Sequence, residues 1–265
     1  MTNRNSTTLL SQRTFSKTVL IMCGCAGPLL LCAYSEHAHA QAEVKPEIWI
    51  DLESDHRVRG LSWSDGKFTG DIYANVPLTT KVSASTQLTA LRGAERHGGA
   101  DAGSDLAVTY SDEASLLSWH VSGVGHLFAG CNFKCDYAEV QGGGGGTLGP
   151  VSIDAMVSYA PDQVAIGGSN FYKRVEVSYG FWGKPISLRG YVGHSSGHTE
   201  DVQRARRLRP DGNYVDWSLG AEYYLGPASL TLTYSDTDIS RKAADFTGAS
   251  GDFGSKIVAG AHISF

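Results

Sequence analysis

Beyond its first forty positions this 265-residue chain has no long apolar run. A spanning helix needs about 20 consecutive apolar residues, so none is expected there. No run of helical period replaces it, which argues against a helical bundle. Cysteine is scarce: Cys23, Cys25 and Cys32 fall within the first forty residues, and only Cys131 and Cys135 lie beyond. Two thiols with no nearby His or second Cys pair do not make a tetrahedral metal site, so neither a metal nor a cofactor is expected. The glycine run from Gly142 to Gly146 is followed by no Lys-Ser/Thr pair, which removes a phosphate-binding loop. Glycine in a strand instead marks close backbone approach or a sharp bend. Basic charge is short as well, with 22 Lys and Arg against 27 Asp and Glu, so a nucleic-acid partner is not expected.

What the first forty residues do have is an export pattern. Arg4, Arg13 and Lys17 precede an apolar run from Val19 to Leu31, and the segment closes on Ala38, His39 and Ala40. Small residues three and one before a cut suit signal peptidase. The chain therefore divides into a cleaved signal at 1–40 and a single domain at 41–265 that starts at Gln41. An uncleaved anchor is the alternative, but the run is short and Pro28 interrupts it; lipoprotein processing at Cys25 or Cys32 lacks a good preceding motif. The leader holds three basic residues and the acid Glu36, so its removal takes the net charge from −5 to about −7. Export to an oxidising compartment makes a Cys131–Cys135 disulfide one expectation and two free thiols the other.

The rest alternates. Val215, Trp217, Leu219, Ala221 and Tyr223 share one face, with Asp216, Ser218, Gly220 and Glu222 on the other, which is the period of a strand. Twelve such segments follow one another at 48–59, 68–77, 81–92, 105–111, 118–129, 136–148, 151–160, 171–181, 185–194, 214–225, 228–235 and 254–265. Most have membrane-crossing length, about 9 to 11 residues for a tilted strand. Their connections alternate between tight ones, such as Gly149-Pro150, Gly183-Lys184-Pro185 and Gly226-Pro227, and generous polar ones near 61–67, 93–104, 130–135, 161–170, 195–213 and 236–253. Short turns at one end, longer loops at the other and an even strand number describe an outer-membrane barrel. A soluble sandwich or lipocalin-like barrel has no reason to sort its loops by length.

The fold class expected is therefore all-β: a transmembrane antiparallel up-and-down barrel of about twelve strands. Lipid offers no partner to an unpaired backbone group, so the sheet must close. Trp49, Trp63, Trp119, Tyr159, Tyr179, Phe181 and Trp182 are candidates for interfacial girdles. The final alternation of Ile257, Ala259, Ala261, Ile263 and Phe265 resembles the C-terminal signal by which outer-membrane proteins are recognised, and implies the barrel assembly machinery as a partner.

Residues 54–71 read SDHRVRGLSWSDGKFTGD. This is similar to the opening motif of the TorF-like porins, a proteobacterial family whose usual form resembles SDYRFRGISQSDG. The likeness continues through Asp136 to Glu139, Asp216 to Gly220 and Tyr234 to Asp238. It implies an outer-membrane channel with no particular solute. His56 stands where the family pattern commonly has Tyr, and the Cys131 to Cys135 loop is not a feature of that pattern.

With Ile48, Ile50 and Leu52 toward lipid, strand parity turns Asp51, Glu53, Arg57 and Arg59 into the lumen. The same test places Asp71, Glu139, Arg174, Glu176, Arg189, Asp216, Glu222 and Lys256 inside, with Asp55 and Asp154. A charge on the lipid face would cost up to about 2 to 4 kcal/mol at mid-depth. The interior is mixed in sign with an acidic excess, which points to passage of ions or small solutes with a mild cation preference. Mutually satisfied salt bridges filling a closed barrel, or an adhesin-like display of loops, are the alternatives. Catalysis is not expected: His120, His126, His194, His198 and Ser196 are the candidate residues, but no lipase or omptin motif surrounds them and a nucleophile needs an oriented base. Arg204, Arg206, Arg207 and Arg209 form a basic cluster that is either a solvated loop or a contact for lipopolysaccharide phosphates.

Overall fold

The computed structural model describes residues 45–240 and 253–265. The expected signal segment with its cleavage point, and most of the last long connection, lie outside the described residues. Twelve antiparallel strands close into a barrel: β1 (Glu47–Glu53), β4 (Thr69–Pro77), β5 (Val82–Ala94), β6 (Ala100–Ala114), β7 (Leu117–Ala129), β8 (Tyr137–Leu148), β9 (Val151–Gln163), β10 (Gly168–Gly180), β11 (Ile186–Ser196), β12 (Tyr214–Leu225), β13 (Ala228–Thr237) and β14 (Lys256–Ser264). Each pairs with its sequence neighbours in the ring, and β14 returns to β1. Two short strands, β2 (Arg57–Val58) and β3 (Leu61–Ser62), form a separate hairpin between β1 and β4. Among the described residues no helix is long and apolar enough to cross a membrane.

Closure is made by β1 and β14 in register from Trp49 opposite Ser264 to Glu53 opposite Gly260. The Phe265 amide extends it by donating to the Ile48 carbonyl at 2.9 Å. Parity then sorts the side chains. Ile72, Val108, Val140, Leu219 and Ile257 stand exposed on the outer wall, between 50 and 63% accessible. Their strand neighbours Asp71, Ala107, Glu139 and Val258 are buried inside. A soluble protein would hide such a belt; here it is the surface that hydrocarbon covers.

Five short turns gather at one end of the barrel together with Lys45 and Phe265. The other end carries the long connections 54–68 and 197–213, but also 95–99 and 164–167, which are no longer than the turns because the strands beside them run on. Several strands, β5, β6, β9, β10, β11 and β13, extend further toward the loop end than expected. β6 begins at Ala100 rather than near 105, and β9 continues to Gln163. The segment that ends well short is the first. β1 stops at Glu53, and Arg57 and Arg59 do not continue it. Arg59 and Gly60 adopt φ values of 54° and 75°, the two left-handed positions of a tight hairpin turn, and the chain folds back into the barrel.

The girdle candidates divide. Trp119, Tyr159, Tyr179, Phe181 and Trp182 face outward and are exposed, whereas Trp49 and Trp63 are buried inside. Trp49 stacks on Tyr73 at 3.7 Å between ring centres, and both rings fill lumen rather than mark an interface.

Leu219 sits mid-strand on the outer wall and Ser218 on the inner. We expect Leu219→Arg to cost about 2–4 kcal/mol in a bilayer and Ser218→Arg much less. Urea unfolding of the two variants in lipid vesicles measures this, and equal losses would contradict the assigned faces.

Candidate functional site

The lumen has two unlike halves. At the loop end it is filled by a plug whose buried apolar residues, Leu61, Trp63, Leu91, Tyr137, Ile166, Leu208, Tyr214, Ile239 and Phe253 among them, come from the wall and from several different connections. At the turn end a cavity of about 520 Å³ is lined by polar and charged side chains together with Trp49, Tyr73 and Met156.

The inner hairpin is the centre of the plug. The Trp63 amide donates to the His56 carbonyl at 2.7 Å, and Gly60 approaches the wall so closely that an added Cβ would lie 2.8 Å from the Cβ of Asp216. At the foot of the hairpin Asp55 is fully buried and accepts from Ser62 and Ser64, with the Arg57 and Lys256 side chains 3.9 and 4.0 Å away. At its tip the Arg59 guanidinium reaches both oxygens of Glu139 at 2.7 and 2.9 Å, and lies over the Tyr172 ring. The Tyr214 hydroxyl donates to the Arg59 carbonyl at 2.8 Å. Glu139 is also met by His126 at 3.4 Å and Gln141 at 2.6 Å. A buried charge without partners is costly. Here one guanidinium and one carboxylate satisfy each other through contacts 80 residues apart in sequence.

Arginines of the long connection lock the outer layer. Arg207 donates to the carbonyls of Cys135 and Ala165 at 2.7 and 2.8 Å, and meets His97 Nδ1 at 3.1 Å. Arg209 donates to the carbonyls of Gly197, Ser169 and His198. Arg96 donates to the carbonyls of Ser62, Arg206 and Arg207. Arg207 and Arg209 are each 3% exposed, which corrects the reading of that cluster as a solvated loop or a lipopolysaccharide contact: two of its four members are buried fasteners. Cys131 and Cys135 are joined in a disulfide, and the loop it closes presents the Cys135 carbonyl to Arg207. Five connections are thus held together by planar donors reading backbone oxygens.

The turn-end cavity is wetter. Arg174 lies 3.4 Å from Glu176, Glu176 3.4 Å from Arg189, and Arg189 3.3 Å from Glu222. Arg189 keeps 54% of its side chain exposed, so these pairs are hydrated and weak. The cavity wall carries Glu47, Asp112, Glu113, Asp154 and Glu176 against Lys81 and Arg174. Of the remaining parity-placed residues, Asp51 pairs with His262 at 2.7 Å, Glu53 with His56 at 3.0 Å, and Asp216 accepts from the Tyr172 hydroxyl at 3.2 Å. Asp71 is buried beside them.

Three of the residues considered for catalysis have other partners. Ser196 donates to the Phe171 carbonyl, His198 lies exposed beside Asp162, and His126 sits between Asp105 and Glu139. Of the terminal alternation, Ile257, Ala259 and Ile263 lie on the exposed side of β14, Ala261 is half-buried, and Phe265 is exposed at the turn end.

Residues 37–261 match the model of a family described as "Bacterial protein of unknown function (Gcw_chp)", and the chain belongs to that family. No curated protein matches it. Among solved structures it is similar to a KdgM porin, with 8% identity over 83% of this chain and 99% of that one at a TM-score of 0.52. It is also similar to an outer membrane channel from Pseudomonas putida F1, with 9% identity over 88% of this chain and 98% of that one at a TM-score of 0.50. These likenesses show the fold: a closed twelve-strand antiparallel barrel of the outer-membrane type.

Two plug histidines respond to pH in opposite senses. Burial, then the charges of Arg207 and Arg96, hold His97 well below the ordinary value; burial also pulls Arg207 down to about 10. Burial opposes a charge on His56, but the Glu53 hydrogen bond and the charges of Glu53 and Asp71 raise it. As pH falls through about 6.5, a released His97 takes up a proton that the packed site refuses, so its effect weakens the plug. The stabilisation from His56 is complete below about 6.5 and fades as pH rises through its raised value. We expect His97→Gln to lose less stability than the native chain between about pH 7.5 and pH 5.5. Unfolding midpoints at the two pH values check this, and identical pH responses would remove His97 from the account.

Proposed function

We propose that this member of the Gcw_chp family is a small outer-membrane channel, exported by a cleaved signal, that passes ions or small solutes with a mild preference for cations. The observation that carries the reading is the turn-end cavity: a polar space inside a lipid-facing barrel whose lining includes five carboxylates and two cations, Asp112 and Lys81 being paired with each other at its rim. Focused negative potential in a low-dielectric wall raises the local concentration of cations. The likeness of residues 54–71 to TorF-like porins supports the same function. On this reading the short turns face the periplasm, as in outer-membrane barrels generally, the C-terminal strand is what the barrel assembly machinery engages, and lipid and lipopolysaccharide surround the wall. No catalytic step belongs to it.

The plug gives the channel a restrictor. Its inner hairpin is anchored by Arg59 on Glu139, and removing one member of a buried pair costs about 3–5 kcal/mol because the other charge is left alone. Losing Arg59 therefore loosens the hairpin without touching the strand ladder. The filled outer mouth also favours a second reading, a closed barrel that displays its loops.

Planar-bilayer recording separates the two. We expect small cation-preferring conductance from the native chain, larger conductance from Arg59→Ala, and reduced cation preference from a double Asp154→Asn, Glu176→Gln variant. Absence of conductance in both the native chain and Arg59→Ala would leave the closed barrel.

A further inference from the structure

Where β1 gives way to the inner hairpin, three side chains converge with no role in the plug's arginine fasteners. Glu53 is the last residue of β1, His56 lies three residues on as the chain leaves the wall, and Asp71 projects from β4 alongside. Glu53 Oε2 lies 3.0 Å from His56 Nδ1, and Asp71 Oδ2 lies 4.0 Å from the same nitrogen. One donor atom from each of the three lies within 4.8 Å of the other two.

Asp71 is the unusual member. It is 2% exposed, and neither of its carboxylate oxygens makes a well-formed hydrogen bond, the Gln87 side chain offering it only a loose contact. Its cross-strand neighbour is Asp51, which is already engaged with His262 at 2.7 Å, and Glu53 adds a further negative charge. A buried carboxylate among like charges is expensive unless a cation meets it, and the imidazole it faces, His56, stands 4.0 Å away and is hydrogen-bonded to Glu53 instead. Arg57 and Lys256, the cations of the hairpin's foot, are the near neighbours of Asp55.

We propose that Glu53, His56 and Asp71 form a binding site for one divalent transition-metal ion of the zinc class, which fastens the inner hairpin to the barrel wall. Zinc takes imidazole and carboxylate ligands at about 2.0–2.2 Å, so donors 3 to 4 Å apart close on it with small side-chain movements. One imidazole with two carboxylates suits zinc, nickel or ferrous iron, whereas calcium and magnesium prefer all-oxygen surroundings. Three protein ligands leave a position for water, and Glu53 keeps 27% of its side chain exposed to admit the ion. The ion adds two positive charges where three carboxylates meet, and it joins β1, β4 and the start of the hairpin at one point. The site stands whether or not the barrel conducts. The second group of similar composition, Asp162, His198 and Glu200, is wholly exposed and serves as the control.

The test uses the full chain refolded in detergent micelles and stripped with chelator. Titration calorimetry with zinc chloride, and separately with magnesium chloride, reads stoichiometry and affinity; heat-modifiable gel migration reads stability. We expect one zinc per chain and little magnesium binding. His56→Ala and Asp71→Asn should each weaken zinc binding by about tenfold or more, and His198→Ala should leave it unchanged. Asp71→Asn removes a repelled charge, so without metal it should be at least as stable as the native chain, and zinc should raise the unfolding temperature of the native chain and of His198→Ala but not of the two site variants. Absence of zinc binding by the native chain, binding that survives both substitutions, or loss in His198→Ala would each overturn the proposal.

Discussion

Everything in this molecule follows from the obligation of each backbone N–H and C=O to find a partner within the protein where the surroundings are hydrocarbon. An open sheet of these strands would leave two bare edges in lipid. Joining β14 to β1 removes both, and the period-two side-chain pattern then has no freedom left. Leu219 must face out because Asp216, three residues away on the opposite face, can only be tolerated inside.

That sorting moves the energetic problem inward. With the apolar residues committed to the wall, the interior must satisfy polar groups without bulk water at the loop end. It does so with arginine. Arg207, Arg209 and Arg96 each serve several carbonyls of chain that has left the sheet, where irregular backbone would otherwise be unpaired. At the turn end the charged side chains pair with one another while only partly buried, and such pairs are exchangeable.

The barrel was legible in the sequence because alternation, turn chemistry and loop sorting are local properties. β12 has the expected limits at Tyr214 and Leu225, and Gly226-Pro227 makes its turn. β6 was underestimated since Ala100 to Ser104 offer small side chains with little contrast between faces. The inward hairpin was not foreseen, although RVRGLS carries a signal for it: a glycine after an arginine, at positions that both require positive φ. Parity extended through Arg57 and Arg59 still turned them inward, by assuming a strand that the turn replaces. The buried arginines were illegible for another reason. Their acceptors are main-chain oxygens, which every residue possesses, so no pattern of side chains announces them. Glu53, His56 and Asp71 were not legible as a group because the third lies on the next strand of the barrel, and register rather than spacing brings it close.

In the channel proposed above, the uneven filling of the lumen makes the two directions of travel different. A solute entering at the loop end must shed its hydration against packed rings before it meets any mobile charge. One entering at the turn end is first gathered by carboxylates and sheds water afterwards. Equilibrium across the wall is unaffected by that order, but the barrier profile is lopsided, so current under reversed voltages of equal size need not be equal.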